Sequence, residues 1–255
     1  MSLLQIKNLN KTFGGLSAVT NASFRVEPGQ LAGLIGPNGA GKTTAFNLIT
    51  GVYKPDNGEI IFRGHSITGQ APYNICKKGI ARTFQNIRLF KGLTVEDNIK
   101  IAFHKDAPYN ILQSLLRTKA FFKGEEALEK KSREILDIFK LKDKREELAS
   151  SLPYGEQRRL EIARALATNP TLLILDEPAA GMNPQETQDL MELIVWIRKE
   201  FDLTILLIEH DMHMVMGVCE NIYVLDYGLI IAEGAPDEIQ RNPRVIEAYL
   251  GEELA

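Results

Sequence analysis

The chain has 255 residues, with 30 Lys plus Arg against 33 Asp plus Glu, for a formal net charge of −3. Hydrophobic residues make up 44% and charged residues 25%, the balance of a globular protein that folds by its core alone. The mild negative charge speaks against a duplex-binding surface, and no apolar run approaches the ~20 residues that cross a bilayer. The opening segment MSLLQIKNLNK lacks a basic stretch followed by an apolar one, so no signal peptide is expected. Cys76 and Cys219 have no paired spacing and are expected to be reduced, buried thiols.

In chain order, residues 2–30 alternate short apolar runs with the turn signals Gly14-Gly15 and Pro28-Gly29, which predicts antiparallel strands. Leu31 to Gly36 predicts a buried strand, then a glycine-rich turn and a helix from about Lys42 to Thr50. Pro55-Asp56-Asn57-Gly58 is a turn signal with a strand, Glu59–Phe62, behind it. From about 95 to 170 the pattern is helical: Leu128, Ile135, Leu136 and Phe139 share one face, and residues 157–168 are almost all strong helix formers. Leu172–Leu175 and Leu203–Ile208 then predict buried parallel strands, joined by a helix with Leu190, Leu193, Ile194 and Ile197 on one stripe. A hairpin, YVLDYGLIIAEG, and a charged helix close the chain. The expected fold class is α/β: a core in two pieces, 1–94 and 170–255, with an antiparallel β subdomain, and a helical subdomain over about 95–169 inserted between them.

Gly36-Pro37-Asn38-Gly39-Ala40-Gly41-Lys42-Thr43 fits G-x-x-x-x-G-K-[ST] between a strand and a helix. Glycine at 36, 39 and 41 lets backbone N–H groups approach a phosphate, and the helix beginning near Lys42 points its positive end at the same anion. Lys42 is the charge for the β- and γ-phosphates, and Thr43 offers a hydroxyl to Mg²⁺. Leu172-Leu173-Ile174-Leu175-Asp176-Glu177 ends a strand in two carboxylates. Asp176 is the candidate Mg²⁺ ligand, and Glu177, pointing the other way along the pleat, the candidate base for an attacking water. Each half alone has a blander explanation, a glycine turn or a capping turn before Pro178. Together they predict a P-loop nucleoside triphosphatase.

Five further segments, in order, resemble the ATP-binding subunits of ABC transporters over essentially the whole chain. Phe13 in KTFGG matches the aromatic that stacks on adenine, and Gln85 in RTFQNIRLF the glutamine that touches Mg²⁺ and senses the membrane subunit. LPYGEQRRLEIARAL, residues 152–166, resembles the family signature that opens a helix. AAGMNP, 179–184, matches the loop after the magnesium strand, and His210 in LLIEHDM the histidine that reaches the γ-phosphate. His210 lies 34 positions after Asp176, room for one helix and a returning strand, so both belong at one edge of the sheet. His65, His104 and His213 have no such partner set and are expected to be structural.

The resemblance implies ATP and Mg²⁺ as cofactors, held by Phe13, Gly36–Thr44 and Gln85 of one subunit and by the Pro153-Tyr154-Gly155-Glu156 segment of the facing one. It implies a dimer, with itself or with a second related ATPase. Two features depart from the family pattern. Pro153 and Tyr154 stand where it has serine and glycine, removing a hydroxyl, an N–H and a helix cap worth ~1 kcal/mol. Asn183 stands where it commonly has aspartate. In a heterodimer the altered signature would face the partner's ATP and weaken that site.

RTFQNIRLFKGLTVEDNI, the extended stretch 103–124, the signature and the tail EAYLGEE resemble one branch, the ATP-binding subunits of branched-chain amino acid importers. That branch implies two membrane permeases, a periplasmic binding protein, a peripheral place on the cytoplasmic face of the inner membrane and no nucleic acid. Related ATPases serve urea uptake and lipopolysaccharide export. A soluble ABC-type ATPase acting on nucleic acid or ribosomes would usually have two such domains or a coiled coil, and a basic surface. A phosphotransferase would have no use for the signature. Ile111, Leu112, Leu115, Leu116, Phe121 and Phe122 are expected in the core of the helical insertion rather than in a groove for a permease helix.

Overall fold

The computed structural model describes residues 2–104 and 107–253. They form two compact units, one from the residues up to Arg82 and those from Thr171 onward, the other from Thr83–Pro170.

The first unit holds two sheets. Strands β1 (Leu4–Phe13) and β2 (Leu16–Val26) form an antiparallel hairpin, extended by β4 (Asn57–Phe62) and β5 (His65–Ser66) into a sheet of order β2-β1-β4-β5. The larger sheet comprises β3 (Leu31–Ile35), β6 (Ile80–Arg82), β7 (Leu172–Asp176), β8 (Thr204–Ile208), β9 (Asn221–Asp226) and β10 (Leu229–Gly234), in the order β10-β9-β3-β8-β7-β6. All pairings in it are parallel except that of β10 with β9. Strands β3, β7 and β8 are buried at every position, as unbroken apolar runs with both faces covered must be. Helix α1 (Lys42–Ile49) places Ala45, Phe46, Leu48 and Ile49 in one apolar cluster with Leu4, Ile6 and Leu9 of the first sheet and Leu34 and Leu206 of the second. Helices α2 (Pro72–Lys77), α7 (Pro184–Glu200), α8 (Met212–Val218), α9 (Pro236–Gln240) and α10 (Pro243–Glu253) complete the unit. On α7, Leu190, Ile194 and Ile197 are buried, and Leu193 sits at the half-buried edge of the stripe. Asn183 caps α7 in a capping box with Glu186, so the amide has a local structural use.

The central strands are in register at their carboxyl ends. Leu34 lies opposite Ile208, and Ile208 opposite Asp176, so β3, β8 and β7 end at one level of the sheet. The chain segments leaving these three strands emerge side by side at the carboxyl edge, where open α/β sheets bind ligands.

The second unit contains α3 (Val95–Phe103), α4 (Ile111–Leu115), α5 (Lys119–Ile138) and α6 (Tyr154–Leu166). Thr94, Asn110 and Thr118 cap the first three of these helices through their side chains. Val95, Ile99, Leu128, Leu136, Phe139 and Leu160 are buried. Residues 111–122 depart from expectation. Ile111, Leu112, Leu115, Leu116 and Phe122 are all exposed, Ile111 at 88%, and only Phe121 is half-buried, stacked edge-on between Tyr109 and Phe122. A five-residue helix cannot shield both of its faces, and α4 buries none of its residues. Cys219 is buried, which pushes its thiol up to about 12, whereas Cys76 is only half-buried.

Arg158 of α6 is fully buried and organises this unit's polar interior. It donates to the carbonyls of Phe84 at 2.6 Å and Gln85 at 2.8 Å, to the Tyr154 hydroxyl at 3.2 Å and to the Glu161 carboxylate at 3.0 Å. Glu161 also accepts from the Arg88 N–H at 3.0 Å. Burial raises its pKa against the opposing pull of the Arg88 N–H and Arg158. Replacing Arg158 by Met should destabilise the unit by about 3–5 kcal/mol, because Glu161 would be left buried without its hydrogen-bonded cation, with only the coulombic pull of Arg164 remaining. The deficit should shrink as pH falls, since protonation neutralises the orphaned acid. Urea unfolding at acidic and alkaline pH tests this, and an unchanged midpoint at alkaline pH would refute it.

Candidate active site

The loop leaving β3 turns at Gly36 and enters α1 at Gly41. Glycine is required at both positions for a reason only the folded chain reveals. A Cβ on Gly36 would stand 1.9 Å from the carbonyl oxygen of Leu225, and one on Gly41, where φ is 102°, would stand 2.1 Å from that of Ala18. The protein's own backbone fills those spaces. At Gly39 nothing lies within 4 Å, so there the expected room for a ligand exists.

Lys42 is buried, and its Nζ donates to the carbonyls of Gly36 at 2.5 Å and Pro37 at 2.7 Å, drawing the loop around its ammonium group. The Ala40 N–H donates to the Pro37 carbonyl, and the Ala40 carbonyl accepts from Gly228. Asn38 is exposed at the tip, Thr43 is exposed in the first helical turn, and Thr44 is half-buried. No side chain caps α1, unlike α3, α5 and α7, and no acid stands in its first turn, which leaves its positive end suited to an anionic ligand.

Asp176 ends β7 and is 4% exposed. Its carboxylate lies 4.0 Å from the guanidinium of Arg82, a residue the sequence pattern did not single out. Arg82 is itself held by Asn47 at 3.1 Å and Thr50 at 2.7 Å, both on the α1 side, and covers the Phe46 ring at 3.9 Å. It therefore balances the carboxylate's charge and ties β6 to α1.

Glu177 does not continue the pleat. Its φ is +44°, a left-handed conformation unusual for glutamate, and its N–H donates to the Ile208 carbonyl at 2.8 Å. The turn sets its carboxylate 3.6 Å from Nδ1 of His210, an ion-pair distance too long for a hydrogen bond. The His210 side chain is 57% exposed and that of Glu177 17%, so the histidine faces outward while the acid sits in partial shelter.

A second unanticipated residue is Glu209. It is fully buried; one carboxylate oxygen accepts from the Ala179 N–H at 3.0 Å, the other from His210 at 3.0 Å and Asp211 at 3.2 Å. Burial raises its pKa, against the pull of these N–H donors and His210. An acid beside a histidine at a strand end carries no periodic signal, so only its contacts reveal it.

The first unit thus brings together Gly36–Thr44, Asp176, Glu177 and His210. Phe13 stands 41% exposed at the end of β1, with its ring 5.2 Å from that of Tyr53 and Lys11 over it at 5.3 Å. Gln85 and Pro153–Glu156 belong to the second unit. Gln85 is exposed and its backbone carbonyl is held by Arg158. Pro153 caps α6 without a side-chain bond, and Glu156, instead of closing a capping box, pairs with Lys144 at 2.6 and 2.7 Å. Thr43 and Asp176 are hard oxygen donors, and among the described residues no group of three or more His, Cys, Asp or Glu could hold a metal. Two such donors would suit a cation that takes the rest of its shell from phosphate oxygens and water.

A parallel sheet with this loop after a central strand and paired carboxylates after a neighbour defines a P-loop nucleoside triphosphatase. Residues 19–180 match the ABC transporter family model, and residues 230–255 match one described as branched-chain amino acid ATP-binding cassette transporter. The high-affinity branched-chain amino acid transport ATP-binding protein BraF of Pseudomonas aeruginosa is 46% identical over 98% of this chain and 98% of its own. The lipopolysaccharide export system ATP-binding protein LptB of Haemophilus influenzae is 34% identical over 100% and 99%. Among solved structures, the ADP conformation of MJ1267, an ATP-binding cassette of an ABC transporter, superposes with a TM-score of 0.85 at 35% identity, covering 98% of this chain and 99% of that one. The chain belongs to the ABC transporter family as an ATP-binding subunit, and its activity is ATP hydrolysis coupled to transport.

Replacing Gly41 by Ala should weaken nucleotide binding by about tenfold or more, since backbone strain of a kcal/mol or more has to be relieved by moving the loop. Titration with a fluorescent ATP analogue measures this, and unchanged affinity would show that the contact with Ala18 is not constraining.

Proposed function

We propose that this chain is the ATP-hydrolysing subunit of an importer for branched-chain amino acids, mounted peripherally on the cytoplasmic face of the inner membrane. The observation that carries the solute class is the 46% identity to BraF, together with the C-terminal match over 230–255, against 34% to LptB. No helix among the described residues is long and apolar enough to cross a membrane, and in this reading the pore belongs to the permeases. Two permeases, a second related ATPase or a second copy of this chain, and a periplasmic binding protein complete the proposed complex.

In this reading the Gly36–Thr44 backbone and the α1 N-terminus receive the phosphates of ATP, Lys42 turns its charge to the β- and γ-phosphates, and Phe13 carries the adenine. Thr43 and Asp176 would hold Mg²⁺, which when bound neutralises charge on the phosphates. Glu177 orients the attacking water and takes its proton, and His210 contacts the γ-phosphate. Pro153–Glu156 offers α6's N-terminus to ATP on the facing subunit, one hydroxyl ligand short of the family pattern.

Extraction from the native membrane in mild detergent, followed by mass spectrometry, should recover two hydrophobic permeases and a related ATPase. Recovery of ribosomes or nucleic acid with no membrane protein would overturn the transport assignment of this subunit. Independently, Glu177→Gln should retain ATP binding and lose turnover by a factor on the order of 10²–10⁴. Near-normal turnover in that variant would remove Glu177 from its role.

A further inference from the structure

We propose that Glu209 is a positioning residue for hydrolysis: its carboxylate fastens the turn after β7 to the turn after β8 and so fixes where Glu177 and His210 stand relative to each other. The inference rests on the catalytic roles proposed for those two residues.

The last rung of the β7–β8 ladder is the Glu177 N–H donating to the Ile208 carbonyl at 2.8 Å. Beyond it the strands end, and among the described residues no backbone pairing joins Ala179 to His210 or Asp211. The Glu209 carboxylate supplies that link. One oxygen takes the N–H of Ala179 from the β7 side, and the other takes the N–H groups of His210 and Asp211 on its own side. Glu177, two residues before Ala179, is therefore held on both flanks, by Ile208 before the turn and by Glu209 after it. A left-handed glutamate persists only where its surroundings over-determine it, and these two bonds are the constraint.

The chemistry of the group is specific. Three N–H donors converge on two oxygens, which suits a carboxylate and no other side chain of that length. Glutamine would present one oxygen and an NH₂, and whichever way it is turned, the NH₂ faces a backbone donor. Aspartate keeps the charge but falls one methylene short. Asp211 is committed elsewhere, capping α8 through the N–H groups of His213 and Met214, so it cannot take over the link.

The test is steady-state ATP turnover of Glu209→Gln in the detergent-extracted complex, with thermal unfolding measured alongside. A displacement of catalytic groups by a fraction of an ångström should lower kcat by about tenfold or more while KM for ATP stays within about twofold. In a His210→Ala background the same substitution should cost little more, because groups acting as a unit are not additive. Glu209→Asp is the second variant, expected to show the same split in weaker form. Additive losses in the double variant, a KM that rises in step with the fall in kcat, or failure of both Glu209 variants to fold would make the residue merely structural and overturn the proposal. If Glu177→Gln and His210→Ala themselves keep full turnover, the underlying site assignment falls as well, a result distinct from additivity.

Discussion

The carboxyl ends of β3, β8 and β7 lie at one level of a parallel sheet, and the geometry of the site depends on that register. Leu34, Ile208 and Asp176 are consecutive partners across the three strands, so the phosphate loop, the histidine turn and the acidic turn leave the sheet as neighbours. A slip of one residue in either pairing would reverse the side-chain alternation of a strand buried on both faces. The apolar runs LAGLI, LLIL and TILLI hold the register because each is buried throughout. Chemistry at the edge is thus anchored by packing in the middle.

The polar groups just beneath the edge extend this order outward. Arg82 reaches from β6 toward Asp176 while bonded to Asn47 and Thr50, and Lys42 draws the loop's carbonyls inward. Each charged group is paired with a partial or full charge from a different segment, which is how buried ions are tolerated. The phosphate loop is shaped by the same principle of mutual fit, with Leu225 and Ala18 approaching Gly36 and Gly41 closely enough to exclude any side chain. The loop therefore has a rigid scaffold, and a phosphate need not create it on arrival.

The sequence makes legible whatever rests on local pattern. The buried strands, the amphipathic α5 and α7, the glycine-lysine loop and the acidic strand end all depend on residues close together in the chain, and periodicity or a short motif exposes them. Arg82, Arg158 and Glu209 were illegible because their meaning lies in partners far along the chain or in backbone groups that no residue type announces. The left-handed turn at Glu177 is hidden for a related reason: a run of strand-forming residues suggests the pleat goes on, and only the Ile208 carbonyl shows where it stops. Residues 111–122 show the converse error. Apolar residues at helical spacing signal a face that needs covering, but they do not say whether the cover belongs to the same chain.

The Pro153 substitution shows how local and tertiary constraints trade. A serine at that position could cap α6 through its hydroxyl with Glu156 closing the box, and proline can do neither part. Glu156 is instead drawn to Lys144 in a two-oxygen ion pair, and this contact raises the lysine's pKa through the hydrogen bond to that carboxylate. The helix keeps an acid in its first turn, where it suits the positive end of the dipole, and proline's fixed φ is compatible with the entry geometry. Tyr154 adds an anchor by accepting a hydrogen bond from Arg158, the residue that also holds the carbonyls of Phe84 and Gln85. The Pro153-Tyr154-Gly155-Glu156 segment is thus tied into its unit by side-chain pairing rather than by a helix cap. In the proposed reading that helix start still aims its positive end at a phosphate, short of the hydroxyl that a serine would supply.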